Sequence, residues 1–289
     1  MNLPSRTDPF LFELEQAYRG LNHFDHSNWE SYQNMVDVEH FRGEHGYLSQ
    51  LNYGHDAARY ARTWEYAVNH GLQDLLACFP EDGAFGAVTF SAPDGTLYSR
   101  DSLDSAFEIG FLRDVLGISV ASPVDLLDIG AGYGRLLHRW KQAFPAAIGV
   151  GVDGVPLSTY LCDYYIKYRQ MQHSLTSLPL SQVQHLPVEC AEVATNCYSF
   201  GEMTYSAIEF WVKLCAELSI RYFLVVPHDY GHTDGAFVSH ERDGSNIDYL
   251  PIFAKHGYRE LRRRHKYQPR ESSSQYAWGT EYLLMKRRG

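Results

Sequence analysis

The spacing of apolar positions changes period several times along the chain, and each change marks an element. Phe10, Leu14, Ala17, Tyr18 and Leu21 recur every three or four residues, as do Tyr60, Trp64, Ala67 and Val68, and this period predicts amphipathic helices. Between Pro80 and Arg100 the period breaks. Gly83, Gly86 and Pro93-Asp-Gly95 supply turn chemistry there, which predicts a boundary or a hairpin. A further helix is predicted from Asp101, capped by Asp101 or Ser102, with Leu103, Ala106, Phe107, Gly110 and Phe111 on one face.

Beyond it, short β-rich runs alternate with longer periodic stretches. Strands are predicted over 124–129, 148–152, near 192–196 and over 222–226, with helices over 135–143, 157–171 and 204–218 between them. Such alternation implies a parallel sheet covered on both faces. Residues 258–267 and 281–286 read as two strands without an intervening helix, so an antiparallel pair is expected to finish the sheet. The fold class predicted is α/β: a Rossmann-like, mostly parallel sheet with antiparallel final strands over 101–289, preceded by a helical extension over 1–100 that covers a substrate site.

Within this frame, the run Val124-Asp-Leu-Leu-Asp128-Ile is followed by Gly130-Ala131-Gly132-Tyr-Gly134 and then by Arg135-Leu-Leu-His-Arg-Trp140. Strand, glycine turn and helix thus come in the order that lets a ligand lie against the backbone, near the free N–H groups of a helix start. The next strand ends at Val152-Asp153, 23 residues beyond Gly130, where a carboxylate can accept both hydrogen bonds of a ribose diol. A dinucleotide fingerprint requires G-x-G-x-x-G, whereas here the spacing is G-x-G-x-G. Asp128 would repel a pyrophosphate but suits the ammonium and sulfonium of S-adenosylmethionine.

The glycine motif, together with Ser99-Arg100-Asp-Ser-Leu-Asp-Ser-Ala-Phe-Glu-Ile-Gly-Phe-Leu112, Asp153-Gly154-Val-Pro-Leu-Ser-Thr-Tyr-Leu161 and Asn196-Cys-Tyr-Ser-Phe-Gly-Glu202-Met203, resembles the class I S-adenosylmethionine-dependent methyltransferases. Over about 98–228 it is similar to a bacterial family that bears, by inference, the label sugar O-methyltransferase. The resemblance implies S-adenosylmethionine as cofactor, contacted by Asp128, Gly130, Ala131, Gly132, Asp153, Gly154 and Asn196. It also implies that Arg100 pairs with the cofactor's carboxylate, the alternative being a surface salt bridge to Asp101 or Asp104, and that adenine lies near residues 184–186.

A hydroxyl acceptor must lose its proton to be methylated at a useful rate. In open α/β sheets, ligands bind outside the carboxyl ends of the strands, which selects Tyr198, Ser199 and Glu202 after one strand and His228, Asp229 and His232 after another. His228 is the first choice as general base, because its ordinary pKa suits neutral pH; its alternative is a loop histidine bonded to backbone. Glu202 and His232 are the other catalytic candidates, and for Glu202 the alternative is a cap on the helix that follows. The spacing of His228, Asp229, His232 and Asp234 also admits a divalent ion, although the site is read without metal. The reaction expected is O-methylation of a sugar or specialised metabolite. C- or N-methylation, or a non-catalytic cofactor-binding partner, are the alternatives.

Charge and cysteine usage narrow the partners. With 25 Lys and Arg against 35 Asp and Glu, the formal net charge of −10 argues against a surface that tracks a polyanion. The basic run Arg262-Arg-Arg-His-Lys266 reads as solvated positions of a strand. Cys78, Cys162, Cys190, Cys197 and Cys215 include no C-x-x-C pair and leave one thiol over in any pairing, which fits a reducing compartment. No apolar run matches a bilayer span. The expectation is a soluble cytoplasmic protein acting on a small molecule, with no nucleic-acid or membrane partner; no pattern fixes an oligomeric state.

Overall fold

The structure, a computed structural model, describes residues 3–21, 29, 33–44, 47, 51, 56–227 and 237–288. Helix α1 (Pro9–Tyr18) starts with Pro9 in its first turn, and the Asp8 carboxylate accepts from the Phe10 N–H. Both features satisfy a helix start. Its buried Leu11 and Leu14 belong to an aromatic cluster with Phe41, Tyr133, Tyr160, Tyr164 and Tyr165, so these tyrosines pack the extension onto the core. Helices α2 (Ala57–Asn69) and α3 (Gln73–Cys78) follow, and then a short hairpin of β1 (Phe90–Ser91) and β2 (Leu97–Tyr98).

Helix α4 (Arg100–Leu116) begins one residue before its predicted start, because Ser99 rather than Asp101 or Ser102 caps it. The Ser99 hydroxyl accepts from the Ser102 N–H, and the Ser102 hydroxyl accepts from the Ser99 N–H. Every residue from Arg100 to Leu112 is buried. The helix is therefore enclosed rather than amphipathic, and its charged groups require partners. Leu103 and Phe107 share one hydrophobic cluster with Trp64 and Leu75 of the extension and Leu126 of the sheet.

The main sheet is built from β3 (Leu126–Ile129), β4 (Gly149–Val152), β5 (Leu175–Leu178), β6 (Val193–Cys197), β7 (Tyr222–Val226), β8 (Tyr258–His265) and β9 (Glu281–Arg287), in spatial order β5-β4-β3-β6-β7-β9-β8. The pairs from β5 to β7 are parallel, and β9 runs antiparallel to both β7 and β8. This is the Rossmann-like sheet the sequence predicts, with one refinement: the last strand inserts between β7 and β8. Helices α5 (Arg135–Ala143), α6 (Pro156–Tyr168) and α7 (Tyr205–Glu217) lie in the crossovers. Strand β5, Leu-Thr-Ser-Leu at the sheet edge, and helix α8 (Leu250–Lys255) were absent from the sequence prediction. Both are too short to establish a period.

The basic run lies on the opposite edge strand, β8, where residues 259–263 are exposed and a bulge falls between Glu260 and Arg262. Charge and bulge on an open edge oppose pairing with another chain. Lys266 departs from the expected pattern. Its ammonium is buried and donates to Asp104 of α4 and to the Trp278 carbonyl, because the strand ends at His265 and the chain turns inward over α4. No helix among the described residues is long and apolar enough to cross a membrane.

Candidate functional site

Strand order reverses between β3 and its neighbours β4 and β6, the point at which α/β sheets hold ligands in a crevice outside the carboxyl ends of the strands. The glycine turn forms one wall. Gly130 has φ +73°, and a Cβ there would lie 2.1 Å from the Ser199 Oγ; a bare backbone is what lets the turn after β6 close against the loop. Gly132 has φ +56°, and a Cβ there would meet the Tyr47 ring at 3.4 Å.

The loop amides are engaged within the protein. Gly130 and Ala131 both donate to the Val152 carbonyl, at 2.9 and 3.1 Å, and Gly132 donates to the Asp153 Oδ2 at 2.9 Å. With these amides engaged, hydrogen bonding to a ligand falls to side chains. Asp153 leads these. Its Oδ1 accepts from the Val155 N–H at 2.9 Å, so the carboxylate is oriented from both sides, and each oxygen keeps acceptor capacity for a diol. Burial pushes its pKa up to about 6, against the opposing bonds from Val155 and Gly132. Gly154 forms the half-buried rim beside it.

Asp128, at the penultimate position of β3, is buried and accepts from the Thr195 hydroxyl at 2.6 Å. Burial raises it to about 7. Asn196 holds the loops together. Its Nδ2 donates to the Ile129 carbonyl and the Ser199 hydroxyl, and its Oδ1 accepts from the Phe200 N–H. Tyr198 has φ +69°, and its amide donates to the Val226 carbonyl; burial lifts its phenol well above the ordinary range, which unfits it for the role of base.

Arg100 is buried, not on the surface. Its Nε donates to Asp104 Oδ2 at 3.0 Å, and its guanidinium lies 3.7 Å from the Trp278 ring centroid. Asp101 belongs to a separate buried network: it accepts from Arg42, Arg139 and the Tyr133 hydroxyl, and Glu81 accepts from the same two guanidinium groups.

Across the crevice, Glu202 sits in a short turn after β6 (Phe200–Glu202). It is not the cap of α7, a role filled by Thr204, whose side chain accepts from the Ala207 N–H. The Glu202 Oε2 accepts from the Trp29 indole at 2.6 Å. Burial pushes the carboxyl up to about 7; the indole bond lowers it and the field of Asp153 raises it. Trp29 stacks on Tyr47, with ring centroids 5.2 Å apart, and the Tyr47 hydroxyl bonds to Ser158 at 3.0 Å. These two rings span the crevice from the glycine loop to Glu202. Sequence reasoning placed Tyr47 in the covering extension but missed Trp29, which stands alone among polar neighbours with no periodic signal.

His228, Asp229, His232 and Asp234 lie outside the described residues. Among the described residues, no group of three His, Cys, Asp or Glu could hold a metal ion.

No family model and no curated protein matches the sequence. Solved structures do show likeness. The chain is similar to the [4+2]-cyclase SpnF, at 14% identity over 78% of this chain and 95% of that one, with TM-score 0.45. It is similar to mitomycin 7-O-methyltransferase MmcR, at 16% identity over 81% and 73%, with TM-score 0.44. It is also similar to a SAM-dependent methyltransferase from Geobacter sulfurreducens in complex with S-adenosyl-L-homocysteine, at 16% identity over 63% and 90%, with TM-score 0.40.

Proposed function

We propose that the chain is an S-adenosylmethionine-dependent methyltransferase that transfers a methyl group to a hydroxyl of a small molecule, a sugar or specialised metabolite. The observation that carries this reading is the Asp153 carboxylate, fixed by the Gly132 and Val155 amides beside a glycine turn at the switch point of the sheet. Asp153 would accept the ribose diol. Gly130, Ala131 and Gly132 would bring backbone within contact of the ligand, with Gly154 at the rim, and Asn196 would hold the loop that faces it. Asp128 would place a negative charge near the ligand's cationic end. Arg100, engaged with Asp104 and Trp278, would border the methionine end.

When bound, this cofactor supplies a methyl group on a sulfonium, open to in-line displacement. The protein's part is alignment, exclusion of water and removal of the acceptor's proton. The stacked rings of Trp29 and Tyr47 support the exclusion of water. For the proton, His228, His232 and Glu202 are the proposed groups, and Glu202 is the one whose surroundings the structure describes. A small acceptor suits a crevice roofed in this way, and the exposed basic side chains stand on the far edge strand.

Incubating the protein with methyl-labelled S-adenosylmethionine and a panel of sugars, phenols, amines and protein-free cell extract tests this reading. Label on a hydroxyl oxygen is expected. Label on carbon or nitrogen would revise the acceptor, and no label with any pool would contradict methyl transfer.

The reading also predicts a pH dependence. Asp153 and Asp128 have pKa values raised to about 6 and about 7 in the free protein, and the charged ligand favours their ionised forms. Binding should therefore release protons, and affinity for S-adenosylmethionine should rise with pH. The expected slope is about tenfold per pH unit below 6 for each carboxylate that must ionise, levelling above 7. Calorimetry in two buffers of different ionisation enthalpy measures the proton count; a count of zero at pH 6 would contradict the assignment.

A further inference from the structure

We propose that Trp29 is a positioning residue for Glu202: its indole N–H fixes the carboxylate in the crevice, where it takes the proton of the methyl acceptor. This rests on the methyltransferase reading above and assigns a role in it to the N-terminal segment.

The geometry supports the role in three ways. The indole can only donate, so at 2.6 Å from Oε2 it favours the charged form of the carboxyl at every pH. The ring is itself held, stacked on Tyr47, whose hydroxyl is anchored on Ser158 and whose face covers Gly132. The same pair of rings therefore closes the cofactor side of the crevice and sets the carboxylate on the acceptor side. The third point is the surroundings of Glu202. The charge of Asp153 opposes its ionisation, the Tyr47 phenol stands beside the indole, and the segment carrying His240 and Glu241 runs alongside through bonds from the His240 N–H to the Met203 carbonyl and from the Tyr205 N–H to Glu241.

Burial alone lifts Glu202 toward neutrality, and a base is most effective when its pKa lies near the working pH. In the step inferred, the acceptor oxygen forms the new bond to the methyl carbon as the carbon–sulfur bond breaks with its electron pair going to sulfur. The hydroxyl proton passes to the Glu202 carboxylate and then to water.

The test is the titration of Glu202 in full-length protein carrying carbon-13 at glutamate carboxyls, with E202Q identifying its signal. Wild type should titrate near neutrality. Trp29→Phe keeps a ring and removes the donor, so the midpoint should rise by about one pH unit, a tenfold gain in proton affinity. The acid limb of methyl transfer into a protein-free cell extract should rise by the same amount, with activity regained at higher pH. An unchanged midpoint in Trp29→Phe overturns the inference, as does a midpoint that moves while the acid limb stays. Should Trp29→Phe not fold, the wild-type indole nitrogen signal of Trp29 decides: it must shift through the Glu202 midpoint, and a pH-independent signal overturns the inference. Binding of S-adenosylhomocysteine to the same samples separates the two readings, since its absence counts against the methyltransferase and leaves the indole–carboxylate coupling to be judged by its own signals.

Discussion

Asp101→Asn is expected to destabilise the fold by about 3–5 kcal/mol, the usual effect of removing one partner from a buried ion pair. Asp101 is buried and accepts from two Arg42 nitrogens at 3.2 and 2.9 Å, from Arg139 at 3.2 Å and from the Tyr133 hydroxyl at 2.7 Å. Burial alone would raise its pKa, but Arg139, Arg42 and Arg135 outweigh that and hold it well below the ordinary range. The asparagine variant leaves Arg42 and Arg139 sharing only Glu81 at the centre of the network. Its folded-state pKa is depressed, so the stability that Asp101 contributes is present above about pH 4, its unfolded value, and is lost as pH falls toward the folded one. Urea denaturation at pH 7 measures the loss, and a change below about 1 kcal/mol would show that the network contributes little. Arg42 lies five positions before Tyr47 in the chain, so the same variant should also loosen the roof over the glycine loop.

The features that were legible in the sequence are local ones. Strand, glycine turn, helix and the acid at the next strand end form one contiguous pattern, and the structure places each element within a few residues of its predicted span. Contacts between distant segments were not legible. Trp29 meets Glu202 across 173 positions, and Arg42 meets Asp101 across 59; neither pair has a periodic or spacing signal. The engagement of the loop amides was not legible for a related reason. The Val152 carbonyl and the Asp153 carboxylate come from the neighbouring strand, and only their placement beside β3 shows that they take those donors. Arg100 was weighed as a surface residue because α4 was read as one-sided, whereas the helix is enclosed.

The second large effect is expected at Asp153. Replacing it by alanine removes both acceptors proposed for the ribose diol and leaves the Gly132 and Val155 amides without the carboxylate that orients the loop. The combined loss should be about 1–3 kcal/mol of binding free energy, or roughly 5- to 150-fold in affinity. Asp153→Asn keeps one oxygen but sets an amide N–H₂ against a backbone donor, so it should recover only part of the loss.

Calorimetric titration of S-adenosylmethionine into wild type and into folded Asp153→Ala is the most direct test of the claim that this crevice binds that ligand through Asp153. One site per chain is expected, with an affinity of about micromolar or tighter in wild type and a roughly 5- to 150-fold weakening in the variant with cooperative unfolding intact. Absence of binding to wild type, or equal affinity in the two proteins, would contradict it.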